Sequence, residues 1–261
     1  MAKIELDHIT YSYADQSNGT SVLQDISLTI EDGDFVCIVG QSGCGKTTLL
    51  RLMAGLTFPT SGTVRLSGQP VTGPDTDRSI VFQNYILFPW MSVRRNVEFG
   101  IRQAQRSMNR IRIRQIADEF LKKVDMLKDA EKYPYQLSGG MQQRVAIARA
   151  LAMDTDILLM DEPFGALDTR IRRELQILLE SLRAGEGDRR KTMVFVTHDI
   201  HEAVFLADRI LYMTPGRIYQ TLTVPLPRPR GTLDDTDAAR MRAIRRELLD
   251  LFDQTYRREG V

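Results

Sequence analysis

Two stretches near the start of the chain, IELDHITYSY from Ile4 and SVLQDISLTI from Ser21, alternate apolar and polar residues. A period of two places every second side chain on one face, so both predict half-buried strands, joined through the polar loop ADQSNGT at 14–20. FVCIV from Phe35 is short and apolar throughout, which predicts a strand buried on both faces. Together these read as a hairpin leading into a central strand. The pattern then predicts a helix near 46–56, short strands around Thr63–Leu66 and Ser79–Phe82, and a mainly helical stretch from Ser92 to Met153. From Asp156 strand and helix alternate again: DILLMD, a helix from about Asp168 to Leu182, TMVFVT, a helix over HDIHEAVFLA, and a closing pair, RILYM and RIYQTLTV, around Pro215 and Gly216. No repeat of fixed period interrupts this order. The architecture expected is an α/β core with an antiparallel β portion before it and a helical subdomain inserted at about 92–153.

The end of the chain adds one more element. Met241, Ile244, Leu248, Leu251 and Phe252 recur at helical spacing, which predicts an amphipathic helix with its apolar face on the core. Residues 1–230 are therefore expected to form one domain and 231–261 a helical tail. With 43% hydrophobic and 26% charged residues, the 261-residue chain has the composition of a globular protein with a sizeable core. Its 35 basic and 34 acidic residues leave a net charge of +1, so no nucleic-acid partner is expected. Two cysteines, Cys37 and Cys44, do not make a disulfide framework and favour a reducing compartment. No apolar run approaches the roughly 18 residues that a bilayer-spanning helix needs, so other chains would provide any crossing.

GQSGCGKT, Gly40 to Thr47, follows a buried strand and opens a helix, the context that a G-x-x-x-x-G-K-[ST] phosphate loop requires. Gly40, Gly43 and Gly45 let backbone N–H groups surround phosphate oxygens. Ser42, Cys44 and Thr48 belong to the same phosphate-binding stretch, Cys44 as a small loop residue. Lys46 supplies a cation near the β and γ phosphates and the Thr47 hydroxyl is a ligand for Mg²⁺. DILLMDEP ends a buried strand on two adjacent carboxylates: Asp161 is placed to hold Mg²⁺ and Glu162, pointing the other way, to polarise an attacking water. Gln83 after SIVF and His198 after TMVFVT also leave strands at that edge, Gln83 within reach of metal or water. In LSGGMQQRVAIARAL, Ser138, Gly139 and Gly140 open an amphipathic helix as an anion-binding helix start would.

In this order the pieces resemble the ATPase subunits of ATP-binding-cassette transporters over nearly the whole chain: the loop 40–47, Gln83, LSGGMQ 137–142, LLMDE 158–162, GALD 165–168 and THD 197–199. The resemblance implies a P-loop NTPase core of the ABC type, ATP and Mg²⁺ as cofactors, and a homodimer formed on ATP binding. Two cassettes would face head to tail, with Ser138, Gly139, Gly140 and Gln142 of one closing over the γ-phosphate held by the other's loop. Glu162, His198, Gln83 and Lys46 would serve catalysis, Thr47, Gln83 and Asp161 the metal. Asp168 would transmit closure, and Tyr13 would stack on adenine with Tyr11 as its competitor.

VFQNYILFPWMSVRRNVEFG, DEPFGALD, HEAVFLADRI, PGRI and LPRPR narrow the likeness to the nitrate, sulfonate and taurine branch of bacterial importers, with departures at TRIRRELQ after GALD and at His201. That implies permease subunits, a solute-binding protein, and a peripheral place on the cytoplasmic side of the inner membrane. An exporter ATPase or a non-transport cassette are the alternatives. Phe88, Pro89, Trp90 and Met91 are candidates for core and for a groove receiving a permease helix. Between Arg94 and Arg114 stand seven arginines against one acid, Glu98; a solvated face is the usual reading, with lipid headgroups or an acidic permease loop as the other.

Overall fold

Apolar residues at alternate positions, Ile4 and Leu6 in one strand and Leu28 and Ile30 in its partner, fix the first pairing, in which Ile4 lies opposite Ile30. In a computed structural model, which describes residues 3–13, 21–183, 190–230 and 234–259, the elements follow in chain order. They are β1 (Ile4–Tyr11), β2 (Leu23–Ile30), β3 (Phe35–Gly40), α1 (Lys46–Met53), β4 (Ser61–Leu66), β5 (Gln69–Pro70), β6 (Arg78–Val81), α2 (Val93–Ala104), α3 (Arg110–Lys123), α4 (Gly139–Ala152), β7 (Ile157–Asp161), α5 (Thr169–Arg183), β8 (Thr192–Val196), α6 (Ile200–Leu206), β9 (Arg209–Thr214), β10 (Arg217–Thr223) and α7 (Asp235–Glu259). The stretch ADQSNGT, read as the loop between the first two strands, lies outside the described residues, as do 184–189 and 231–233.

The chain forms two compact units, residues 1–74 with 180–261, and residues 75–179. In the first, β2-β1-β4-β5 make an antiparallel sheet, and β10-β9-β3-β8 a second one in which β3 runs parallel to both β8 and β9. The hairpin is followed in the chain by the central strand β3, as expected, and β1 takes β4, some fifty residues on, as its other neighbour. β3 and β8 are buried along their entire lengths, as continuous apolar runs demand. α7 packs on α6; Met241, Leu248 and Leu251 of its expected face are buried, and Ile244 and Phe252 half-buried.

In the second unit β6 and β7 are parallel neighbours, and α2, α3 and α4 pack on one another through Val97, Ile101, Ile113, Leu121 and Val145. Each of these helices starts on a residue whose side chain accepts a backbone N–H: Ser92 from Arg95, Asn109 from Arg112 and Ser138 from Met141. Such caps satisfy donors that the first turn would otherwise leave open. Among the described residues no helix is long and apolar enough to cross a membrane.

Candidate functional site

The phosphate loop belongs to the first unit. β3 delivers the chain to Gly40, where a Cβ would stand 2.3 Å from the Met213 carbonyl oxygen of β9. Gly45 has φ 108 and a Cβ there would meet the Leu23 side chain at 2.6 Å, so the turn into α1 has no room for a side chain and the wrong backbone for one. α1 carries no acid in its first turn, leaving the positive end of its dipole facing the loop. Lys46 is buried and its Nζ donates to the carbonyls of Gly40 at 2.8 Å and Gln41 at 2.7 Å, folding the cation back over the loop. Ser42 and Gly43 are exposed, whereas Cys44 is buried with its Sγ 4.0 Å from Lys46 Nζ, an interior loop residue. Thr47 is half-buried beside them.

Thr48 is buried and its Oγ1 lies 3.1 Å from the Tyr13 hydroxyl. Of the two candidate adenine platforms, Tyr13 keeps 41% of its surface exposed, while Tyr11 is half-buried and accepts a hydrogen bond from Thr57. Their rings meet edge to face at 5.1 Å. The register of β3 on β8 pairs Ile38 with Val196, so the chain leaving β8 brings His198 out level with Gly40. His198 is exposed between two anchored neighbours. The Thr197 hydroxyl donates to buried Glu202 at 2.6 Å and accepts from the Asp199 N–H at 3.0 Å, and Asp199 caps α6 through the N–H groups of His201 and Glu202.

The second unit holds the carboxylates and the LSGG segment. β6 pairs with β7 so that Val81 lies opposite Met160, which brings the residues just beyond, Gln83 and Glu162, together. The Gln83 amide donates to Glu162 Oε2 at 3.3 Å. Asp161 is buried and Glu162 half-buried, with φ 46 turning the chain sharply after the strand. Tyr85 stands close by: burial raises its hydroxyl pKa, and the negative charge of Glu162 adds to this. Ser138 is exposed at the start of α4, which also lacks an acid in its first turn, and a Cβ on Gly139 would meet nothing within 4 Å. This is an open, positively polarised helix start. The Gln142 amide donates to the carbonyls of Pro134 and Leu137, so this side chain holds the segment before the helix. Asp168 caps α5 by accepting the Ile171 N–H at 3.0 Å.

The ABC transporter family model matches residues 23–165, from β2 through the carboxylate pair. The chain belongs to the ABC transporter family. The cassette is 44% identical over 239 residues to the nitrate import ATP-binding protein NrtD of Synechococcus elongatus, covering 90% of this chain and 85% of that one. It is 43% identical to the bicarbonate transport ATP-binding protein CmpD of the same organism, over 86% of this chain and 81% of the other. Among solved structures it resembles the dimeric ATP-binding cassette MJ0796 in a post-hydrolysis state bound to ADP and Pi, with TM-score 0.78, 35% identity and coverage of 85% and 98%. The fold is that of an ABC ATPase, and the cassette is an ATPase whose hydrolysis of ATP is coupled to transport.

Several neighbours of these side chains escape a reading of motifs. Tyr85 and Gln143 are two. Buried Gln143 donates to the Pro163 carbonyl and accepts from Ala166 N–H at 3.3 Å, fastening the turn after Glu162 to α4. A third is Arg149, whose guanidinium donates to the Ile86 carbonyl at 2.7 Å and lies 5.7 Å from the Phe88 ring centre. The same segment separates the aromatics: Phe88 packs on Phe99, its backbone held by Asn96, whereas Trp90 is 68% exposed.

Proposed function

We propose that this ATPase is the motor subunit of a bacterial importer of nitrate, sulfonate, taurine or a similar small solute. It would work as a homodimer around two ATP, docked on permease subunits at the cytoplasmic face of the inner membrane and served by a solute-binding protein. The observation that carries the solute class is likeness to two transport subunits whose names specify nitrate and bicarbonate, both small anions. The dimer is supported by the dimeric cassette it resembles. Residues 1–230 would form the cassette, with its helical part at about 92–153, and 231–261 the appended tail.

Within each protomer Gly40 to Thr48 and Lys46 would cradle the phosphates, Tyr13 would stack on the base, and His198 would meet the γ-phosphate. Glu162, with one carboxylate oxygen already engaged by Gln83, would take the proton of the attacking water. Thr47, Gln83 and Asp161 would hold Mg²⁺, since hydroxyl, amide and carboxylate oxygens are the hard donors it takes. When bound, the ion would supply positive charge against that developing on the phosphates. Ser138, Gly139 and Gly140 of the partner would complete the anion site.

Glu162→Gln tests the assignment: the amide keeps size and the Gln83 contact but cannot accept the proton. Hydrolysis should fall by a factor on the order of 10²–10⁴ with ATP binding retained, measured by phosphate release and nucleotide titration. Near-normal turnover would remove Glu162 from the role of base. For the solute, nitrate uptake into vesicles carrying the whole complex should require ATP and the solute-binding protein.

A further inference from the structure

We propose that the arginine-rich end of the α2–α3 pair is a contact surface for anionic lipid headgroups. Of the seven arginines between 94 and 114, two are spent on carboxylates of their own unit. Arg94 pairs with Asp118 at 2.7 Å and with Glu131, and Arg102 with Glu98 at 3.2 Å. Arg95, Arg106, Arg110, Arg112 and Arg114 are exposed, and none of them has a carboxylate partner among the described residues. Four of the five cluster in 106–114, at the connection into α3 and its first turns. That first turn contains no acid, so the guanidinium charges add to the positive end of the helix dipole and are not offset by it.

Two further features select the occupant. Ile111 lies in the same turn between Arg110 and Arg112 and is 74% exposed, with Arg114 one turn on from Arg110. An apolar side chain ringed by long cationic ones suits the boundary between headgroups and acyl chains, where the isoleucine enters and the guanidinium groups remain at the phosphates. Every cation from 94 to 114 is arginine and none is lysine, which favours planar, two-point binding of phosphate. A free phosphate or nucleotide would need convergent, buried donors, whereas these side chains are all exposed and spread over a surface. An acidic protein loop would use the arginines and leave Ile111 in water. Lipid uses both.

The proposal rests on the reading that the cassette works at a membrane, but its test needs no permease, so it can fail while transport and hydrolysis stand. The whole chain is sedimented with phosphatidylcholine vesicles with and without phosphatidylglycerol, at low and high salt. Wild type should bind only the anionic vesicles and release at high salt. Replacing Arg110, Arg112 and Arg114 together by glutamine should weaken partition roughly a hundredfold, at about fivefold for each arginine near an anionic surface. Ile111→Ser should weaken it several-fold and leave the salt dependence unchanged. Both variants should keep wild-type ATP hydrolysis and thermal midpoint. As a measurement independent of the triple variant's folding, a dye on Ile111→Cys should shift to the blue with anionic vesicles alone. Equal binding to both vesicle types, no binding to either, or unchanged binding by the folded triple variant overturns the proposal. So does loss of permease association in lipid-free detergent by a variant whose parent ignores vesicles, which would assign the surface to an acidic loop.

Discussion

At Glu162 the backbone sits at φ 46, in the left-handed region where a residue other than glycine costs on the order of 1–3 kcal/mol. The turn that causes this sends Asp161 and Glu162 to different surroundings, one buried and one within reach of Gln83. Spacing alone made the phosphate loop and the carboxylate pair legible, because their residues are neighbours in sequence and the chemistry follows from their types. Tyr85 and Gln143 were not, since each depends on a partner distant in sequence that only folding brings close. A different pair shows the same limit. His8 and Asp25, both at positive φ and both exposed, face each other across a bulge with Nδ1 2.6 Å from Oδ1. The hydrogen bond to Asp25 first, then the charges of Asp25 and Asp7, raise the His8 pKa above 6.5. A raised folded value means that this contact's contribution is fully present below pH 6.5 and fades as pH climbs through the folded pKa. In an NMR titration His8 should titrate above 6.5, and Asp25→Asn should bring it back toward that value.

At the scale of elements, the alternation in β1 and β2, the apolar runs of β3, β7 and β8, the helical stretch that holds α2 to α4 and the helices α5, α6 and α7 were readable, because each is a local property of burial. Pairing between strands adjacent in the chain, β1 with β2 and β9 with β10, was readable as well, whereas that β1 also bonds to β4 and β9 to β3 is decided by packing between distant segments. The strap at 226–230 is a similar case. Its LPRPR motif gives no hint that Arg230 is buried, donating to the carbonyls of Val204, Phe205, Ala207 and Val224 at 2.6–3.2 Å. Arg228 adds bonds to Leu206, Asp208 and Glu180, and the Arg230 N–H takes Glu180 as well. Burial first, and then the Arg228 charge, pull the Arg230 pKa down to about 10. Arg230→Ala should leave the carbonyls ending α6 without their donor and lower stability by about 3–5 kcal/mol in a denaturant titration. Arg230→Lys should recover only part of this, since one ammonium cannot span four carbonyls.

For the whole molecule, the assembly itself is open to test. If Ser138 of one protomer serves the loop of another, Ser138→Arg and Lys46→Ala should each inactivate the homodimer, by blocking and by loss of the phosphate cation. A mixed dimer has one site with both defects and one with neither. With free exchange and independent sites, a mixture of the two inactive proteins should recover about a quarter of wild-type hydrolysis. Folded Ser138→Arg protein that hydrolyses at the wild-type rate would show that Ser138 serves no partner's site.

Arg149 gives α4 the character of a push-rod. The helix starts at Ser138 and, eleven residues and roughly 16 Å further along at 1.5 Å per residue, bears the guanidinium that grips Ile86 and rests on Phe88. Gly100 leaves the space for its stem, as a Cβ there would approach Arg149 Cγ to 2.8 Å. A helix this short bends little, so a displacement at the Ser138 end would reach the Ile86–Phe88 segment almost undiminished. Cutting the grip should separate engine from load. If the cassette docks on permease subunits as proposed, Arg149→Ala is expected to leave basal hydrolysis by the isolated cassette within about twofold of wild type, while stimulation by the permease is lost. Parallel phosphate-release assays, with and without the membrane partner, would read the two effects apart.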